Sequence, residues 1–281
     1  MSPELTGAAA MLVSAIAHAF MGMLTKSSND KLVFRSVMML TSAVSLSPVL
    51  FILPIPPAPA WPFLITGMGL HFVFQMSMIS AFDRGDMNLV YPVMRGSAPA
   101  LAAVFAFLIL GETLSVWQIA GLALASAAII GFAWPDKTRA PKAAALAFAF
   151  LAALMTALYS INDASGARAT GHPIAYLAWF SFLTAIPIFA AALIRRRGCW
   201  LACARIEFRA AAPAALLGAA SYGFALFAFS ITAIAPMVAM RETSVVFGAI
   251  LAAVILKESF GRHRTVLAIL LAAGLVILQI G

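Results

Sequence analysis

Apolar residues in this chain gather into long runs, separated by short clusters of charge, glycine or proline, and few polar positions fall inside the runs. A run of about 18 or more such residues, wound as a helix, is long enough to cross about 30 Å of hydrocarbon. The pattern predicts ten spans, at 5–25, 33–53, 61–82, 88–110, 114–134, 143–164, 173–194, 209–231, 234–256 and 264–280. Short alternating segments, the mark of membrane β-barrels, are absent. The expected fold class is therefore an all-α polytopic membrane protein, because lipid offers no partner for an unpaired backbone group.

The runs also repeat. Arg95 and Glu112 recur as Arg241 and Glu258, and at the same offset of 146 Met94 matches Met240, Ala103 matches Ala249, Ala106 matches Ala252, Ile109 matches Ile255, Leu110 matches Leu256 and Ala127 matches Ala273. Two copies are expected, 1–135 (spans 1 to 5) and 141–281 (spans 6 to 10). An odd number of spans per copy makes the second enter the membrane from the opposite face. The repeats are then inverted, about a pseudo-two-fold axis in the membrane plane, the build of many secondary transporters.

Composition agrees: 63% of residues are hydrophobic, 10% are charged and mean hydropathy is +1.01. The net charge of +8 does not point to nucleic acid, because the basic residues sit at span ends, where they meet lipid headgroups. The odd-numbered loops hold Lys26, Lys31, Arg35, Arg84, Lys137, Arg139, Lys142, Arg195, Arg196, Arg197, Arg205, Arg209, Lys257, Arg262 and Arg264, against Arg168 alone in the even-numbered ones. The positive-inside rule puts those loops in the cytoplasm and both termini outside. The first run, Leu5 to Thr25, is too long for a signal h-region and lacks a basic n-region, so a retained helix is expected.

Several chemistries are excluded. Cys199 and Cys203, the two cysteines, lie in a basic loop with no histidine nearby, so they build neither a disulfide framework nor a zinc set. The segment Gly131 to Thr138 imitates a phosphate loop but carries Asp136 where a glycine is required and Pro135 where an amide must donate. No serine-hydrolase, zinc-protease or paired-aspartate motif appears in the spans. No enzyme, cofactor or metal is expected, and no direct use of ATP.

The run Ala81 to Pro99 (AFDRGDMNLVYPVMRGSAP) with Leu110 to Leu114 (LGETL), and in the second copy Ala239 to Val245 (AMRETSV) with Leu256 to Phe260 (LKESF), resembles the EamA branch of the drug/metabolite transporter superfamily. The likeness extends over the whole chain and includes Arg35. It implies a ten-helix permease of two EamA units that moves small metabolites, often outward, without ATP. The chain departs from many members between spans 2 and 3, where Leu53 to Ala60 carries no charge. Members usually described have both termini inside, opposite to the charge count.

Candidate site residues are those polar at membrane depth. Arg95 lies about 10 Å into the core if its helix starts near Asn88, too deep for a lipid-facing guanidinium. With Pro92 in a first helical turn it would sit near the positive end of the helix dipole and favour an anion; the alternative is a structural arginine paired with Asp83 or Asp86. Arg241 stands at the equivalent depth from the opposite face, so the two suit the outer and inner ends of one path. Glu242 either seals a helix contact or answers a substrate ammonium or proton.

His71 and Gln75 share one face of the third span, and His18 follows Ser14 by one turn in the first. Each histidine either carries a proton or makes a helix–helix hydrogen bond. Tyr91, Tyr159, Asn162 and Tyr222 complete a lining suited to a small amphiphilic solute. Trp61, Trp117, Trp134 and Trp200 read as interfacial belts, and Glu112 and Glu258 as structural groups in turns capped by Thr113 and Ser259.

The reading is a secondary transporter of small polar metabolites, amino acids or organic acids, working by alternating access and exporting, in a bacterial cytoplasmic (inner) membrane. Its partners are the small-molecule substrate, protons if they couple transport, and the lipid bilayer, with no nucleic acid. The alternative is a flippase for a lipid-linked or phosphate-bearing headgroup.

Overall fold

The computed structural model describes residues 2–26, 28–84, 87–132, 143–244, 246–247 and 261–280, and is helical with no strand among them. The elements are α1 (Pro3–Lys26), α2 (Lys31–Ile52), a 3-10 turn (Ala58–Ala60), α3 (Trp61–Arg84), α4 (Met87–Phe105) running into a π-helical turn (Ala106–Leu110), α5 (Val116–Phe132), α6 (Ala143–Thr170), α7 (Pro173–Arg195), α8 (Trp200–Ile231), α9 (Ile234–Arg241) and α10 (Gly261–Ile280). Among the described residues seven helices are long and apolar enough to cross a membrane, and α5 and α10 supply two shorter apolar stretches, Val116–Gly131 and Thr265–Leu278. The ninth predicted span, 234–256, is described only at 234–244 and 246–247.

The distribution of side chains is that of a protein dissolved in lipid. Alanine dominates the buried positions, while Phe51, Ile52, Val116, Leu108, Ile206 and Ile269 are exposed. Hydrocarbon gives helices no hydrophobic reason to associate, so they associate through close packing of small residues. The crossing of α5 and α10 shows this directly. A Cβ added to Gly121 would stand 2.6 Å from the carbonyl oxygen of Gly274, and one added to Gly274 2.7 Å from the amide of Ala125.

Local chemistry explains where the helices begin and end. Asp30 caps α2 by accepting from the amides of Leu32 (3.1 Å) and Val33 (3.2 Å). The π turn after α4 stops at Gly111, left-handed at φ 70°. The α5 start differs from expectation: Ser115 makes the cap, not Thr113, its hydroxyl accepting from Gln118 N while Gln118 Oε1 accepts from Ser115 N, a reciprocal capping box. Ser259 lies outside the described residues.

Three other boundaries move. α8 starts at Trp200 instead of 209, because Arg205 and Arg209 are helical residues that carry the helix past the apolar run while Glu207 turns inward, buried, to accept from the amides of Asn29 (2.9 Å) and Asp30 (3.0 Å). α6 continues to Thr170 instead of ending near 164, since Asp163 and Gly166 are helix-interior residues with packing roles. α4 begins at Met87, so Pro92 is beyond its first turn and Arg95 is eight residues in, past the reach of the dipole's positive end.

The chain divides into two compact units. Unit 1 is Met1–Phe72 with Asn162–Ile231, and unit 2 is Val73–Ile161 with Thr232–Gly281. In unit 1, α1 packs on α8, and α2 packs on α7 and α8; in unit 2, α4 packs on α5 and α9, and α5 on α10. Each unit takes pieces from both copies expected in the sequence, since α3 and α6 are each divided between the units. Packing units and sequence repeats are thus different partitions of one chain.

Candidate functional site

In unit 1 the polar centre is Asp163, on α6 and fully buried. Four donors surround its two oxygens. Oδ2 meets His71 Nε2 of α3 at 2.9 Å and accepts from the Tyr222 hydroxyl of α8; Oδ1 accepts from the Tyr176 hydroxyl of α7 at 3.0 Å and from Asn162 Nδ2 at 3.0 Å. Asn162 also donates to the carbonyl of Phe63 at 2.8 Å, which ties α6 to α3. A buried polar group must find hydrogen-bond partners, and both oxygens of this acid have them.

Two glycines make the room. A Cβ on Gly67 would stand 2.9 Å from both Asn162 Nδ2 and Asp163 Oδ1, so α3 approaches the acid only because the side chain there is a hydrogen atom. A Cβ on Gly166 would stand 2.4 Å from the Tyr176 ring. Rings close the cluster: Phe180 lies edge-on to His71 at 4.6 Å and tilted against Tyr222 at 5.1 Å, and His71 meets Tyr222 edge-on at 5.7 Å.

In unit 2 the polar centre is an ion pair. Arg95 Nη1 of α4 donates to Glu242 Oε1, just beyond α9, at 3.1 Å, with side chains 11% and 1% exposed. Arg241, also buried, stands close enough to act on the same carboxylate. Among the described residues Arg95 pairs with Glu242, while Asp86, one of the partners weighed from the sequence, lies outside them. Glu242 is committed to the cluster through one oxygen; Oε2 has no hydrogen-bond partner among the described residues. Gln75, also in unit 2, is 2% exposed, and neither end of its amide has one among them. Glu112 behaves as a structural group: Oε2 accepts from the amide of Ile234, the first residue of α9.

A sequence profile of the EamA-like transporter family matches residues 5–134. Over those residues, just under half of the chain, the sequence is similar to the EamA branch of the drug/metabolite transporter superfamily. This likeness and the seven long apolar helices among the described residues mark a multi-pass membrane protein. A solved crystal structure superposes on it with a TM-score of 0.75 at 18% identity, covering 98% of this chain and 95% of that one, a likeness of fold. No protein of curated function matches the sequence.

Of the ten sequence candidates, His71, Asn162 and Tyr222 meet around Asp163 in unit 1; Arg95, Arg241 and Glu242 lie together in unit 2. Tyr159 is buried edge-on against Phe74, centroids 5.4 Å apart, in unit 2, and His18 is half-buried on α1. Its neighbour in the sequence reading, Ser14, exchanges hydrogen bonds with Ser221 of α8. The Tyr91 side chain lies outside the described residues.

Sequence reasoning missed Asp163, Tyr176 and Phe180. The signal for Asp163 was an acid inside the predicted span 143–164, one turn after Tyr159. Of the expected belts, Trp117 is exposed, but Trp61 donates to the carbonyl of Pro56 and packs on Trp179, and Trp200 donates to Ser36 Oγ. Trp134 and Glu258 lie outside the described residues.

Proposed function

We propose that this protein is a secondary, ATP-independent transporter of small polar metabolites carrying both charge signs, such as amino acids, with organic acids as the simpler case. It works by alternating access between two inverted five-helix repeats, 1–135 and 141–281, and exports across a bacterial cytoplasmic membrane. The observation that carries the reading is the buried Arg95–Glu242 pair in which, among the described residues, one carboxylate oxygen has no hydrogen-bond partner, with the Gln75 amide in the same unit likewise without one. A guanidinium and a carboxylate at membrane depth complement the carboxylate and ammonium of a zwitterion, and ionisable groups at that depth mark solute paths. The basic odd-numbered loops support cytoplasmic placement of those loops. Loops 1 and 7 meet at one end of unit 1 through Arg196 Nε and Asp30 Oδ2 at 2.5 Å, as two odd-numbered loops must.

A thermal-shift panel of amino acids, organic acids and sugar phosphates on the purified protein tests the reading, because a ligand that binds only the folded state raises its apparent stability. A zwitterion or carboxylate should give the largest shift. A panel in which none of these shifts the transition contradicts it. A second reading, the flippase, draws on a groove of about 410 Å³ between α2 and α8, walled by Val37, Leu40, Val44 and Phe208 with Arg205 among its lining residues. Stabilisation by phosphate-headed lipids alone would favour it.

A further inference from the structure

The groove between α2 and α8, within unit 1, holds donors that have nothing to donate to. Its apolar walls are Val37, Leu40 and Val44 from α2 and Leu201 and Phe208 from α8, around a volume of about 410 Å³. Val44, Leu201 and Phe208 are exposed, so the groove opens toward lipid. Three hydroxyls of α2 are engaged: Ser36 donates to the carbonyl of Val33, Ser42 to that of Ala215 and Ser47 to that of Val44. The other two, Thr41 and Ser45, line the groove and make no hydrogen bond among the described residues. Arg205, exposed in the same lining, has neither a hydrogen bond nor an ion pair among them.

The acids nearby are already taken. Glu207, two residues on, is buried and accepts from the amides of Asn29 and Asp30, and Asp30 pairs with Arg196. Arg195, Arg197 and Arg209 stand exposed around the same end of unit 1, which gives it a positive field. A guanidinium beside lipid is costly without an anion, and here the chain supplies none.

We propose that this groove binds an anionic glycerophospholipid. The phosphate and ester oxygens, which only accept, meet Arg205, Thr41 and Ser45, and one acyl chain lies along Val37, Leu40, Val44 and Phe208. A free phosphate would satisfy the same donors and leave the apolar walls bare. A zwitterionic lipid would bring its ammonium into the positive field, so the anionic lipid is preferred. The other polar group of the lining, the Trp200 indole, already donates to Ser36 Oγ at 3.0 Å. Three free donors suit the holding of a headgroup, not its escort across the bilayer, so the lipid is a resident that braces α2 against α8 and not a cargo. This site belongs to unit 1 and the proposed solute site to unit 2, and neither requires the other.

Native mass spectrometry of the detergent-purified protein, titrated with phosphatidylglycerol and phosphatidylcholine of matched chains, tests the site. The wild type should hold one phosphatidylglycerol in preference to phosphatidylcholine. Arg205→Gln, at an exposed position, should lose about fivefold in affinity for phosphatidylglycerol, the worth of one basic side chain near an anionic lipid. Arg209→Gln, outside the lining, should keep the preference, and Val44→Trp, which fills the groove from its exposed side, should weaken both lipids. A preference that survives Arg205→Gln, or that falls as far in Arg209→Gln, overturns the assignment. So does displacement of the lipid by glycerol phosphate, which has the charge without the chains. Scrambling of phosphatidylglycerol across a reconstituted bilayer, lost in Arg205→Gln, would make the groove a path and overturn the resident lipid in favour of the flippase. The metabolite thermal shift is read separately: its absence refutes the transporter reading, and the lipid titration still decides the groove.

Discussion

The two units bury polar groups at membrane depth by opposite means. In unit 1 a single acid is enclosed by four donors from four helices, and both of its oxygens are doubly engaged. In unit 2 a carboxylate shares one oxygen with Arg95 and leaves the other unbonded, while the Gln75 amide is buried without hydrogen bonds among the described residues. A satisfied network fixes its helices. Unsatisfied buried groups cost free energy in the empty protein and recover it when a polar ligand supplies the missing bonds. The proposed function uses this contrast: its solute meets the incomplete cluster of unit 2, and the satisfied acid of unit 1 holds helices together.

The largest effect should come from breaking the satisfied acid. Asp163→Ala removes the shared acceptor of His71, Asn162, Tyr176 and Tyr222, and the loss to several buried donors should cost about 3 kcal/mol or more. Gln75→Leu replaces a buried amide that has no hydrogen-bond partner among the described residues, so it should cost less than about 1 kcal/mol. Denaturant unfolding of the two variants side by side checks the order. Equal losses would erase the distinction between the clusters.

Glycines sharpen the comparison. Gly121→Ala drives a Cβ into the backbone of α10, which cannot retreat without separating two helices, and should cost about 1–3 kcal/mol as an overpacked contact. Gly67→Ala meets the ends of two side chains instead, and the structure yields by displacing Asn162 and Asp163. A smaller stability loss is therefore expected at Gly67, with a clear change in the His71 spectrum in nitrogen-labelled histidine NMR. If Gly67→Ala leaves that spectrum untouched, the close approach of α3 does not shape the network.

How much of this was legible in the sequence follows from range. The membrane class and nearly all helix positions could be read, because apolar run length is a local property, and the Arg95 and Arg241 candidates followed from depth alone. The pairing of Arg95 with Glu242 was hidden because 147 residues separate them. Asp163 lay inside the predicted span 143–164, and its role was hidden for the same reason, since His71 and Tyr222 are 92 and 59 residues away. Ending spans at charge lost the first turns of α8, whose Glu207 is buried against the start of α2.

The smallest effect belongs to the loop pair of unit 1. Partial burial of Asp30 opposes its ionisation, but the guanidinium of Arg196 and the amides of Val33 and Leu32 outweigh this and hold its carboxyl below the usual range. Because the folded value is depressed, the stabilisation is fully present above the unfolded value of about 4 and is lost as pH falls through the folded one. Arg196 is 41% exposed, so the pair is worth about 0.2–1 kcal/mol. Wild type and Asp30→Asn should thus differ slightly and constantly between about pH 5 and 7 and converge only in stronger acid. A difference that vanishes near neutral pH would show that another group is being read.

The central claim, that the solute binds at the incomplete cluster of unit 2, is tested most directly by ligand-induced thermal shift in Arg95→Gln. The account predicts that the variant has a lowered ligand-free transition temperature, because one member of a buried pair is lost, and that it also loses the upward shift given by the best zwitterion or carboxylate of the panel, with Arg95→Lys retaining part of that shift if charge outweighs the planar fork. An undiminished shift in Arg95→Gln would contradict the account and leave the arginine a structural partner of Glu242.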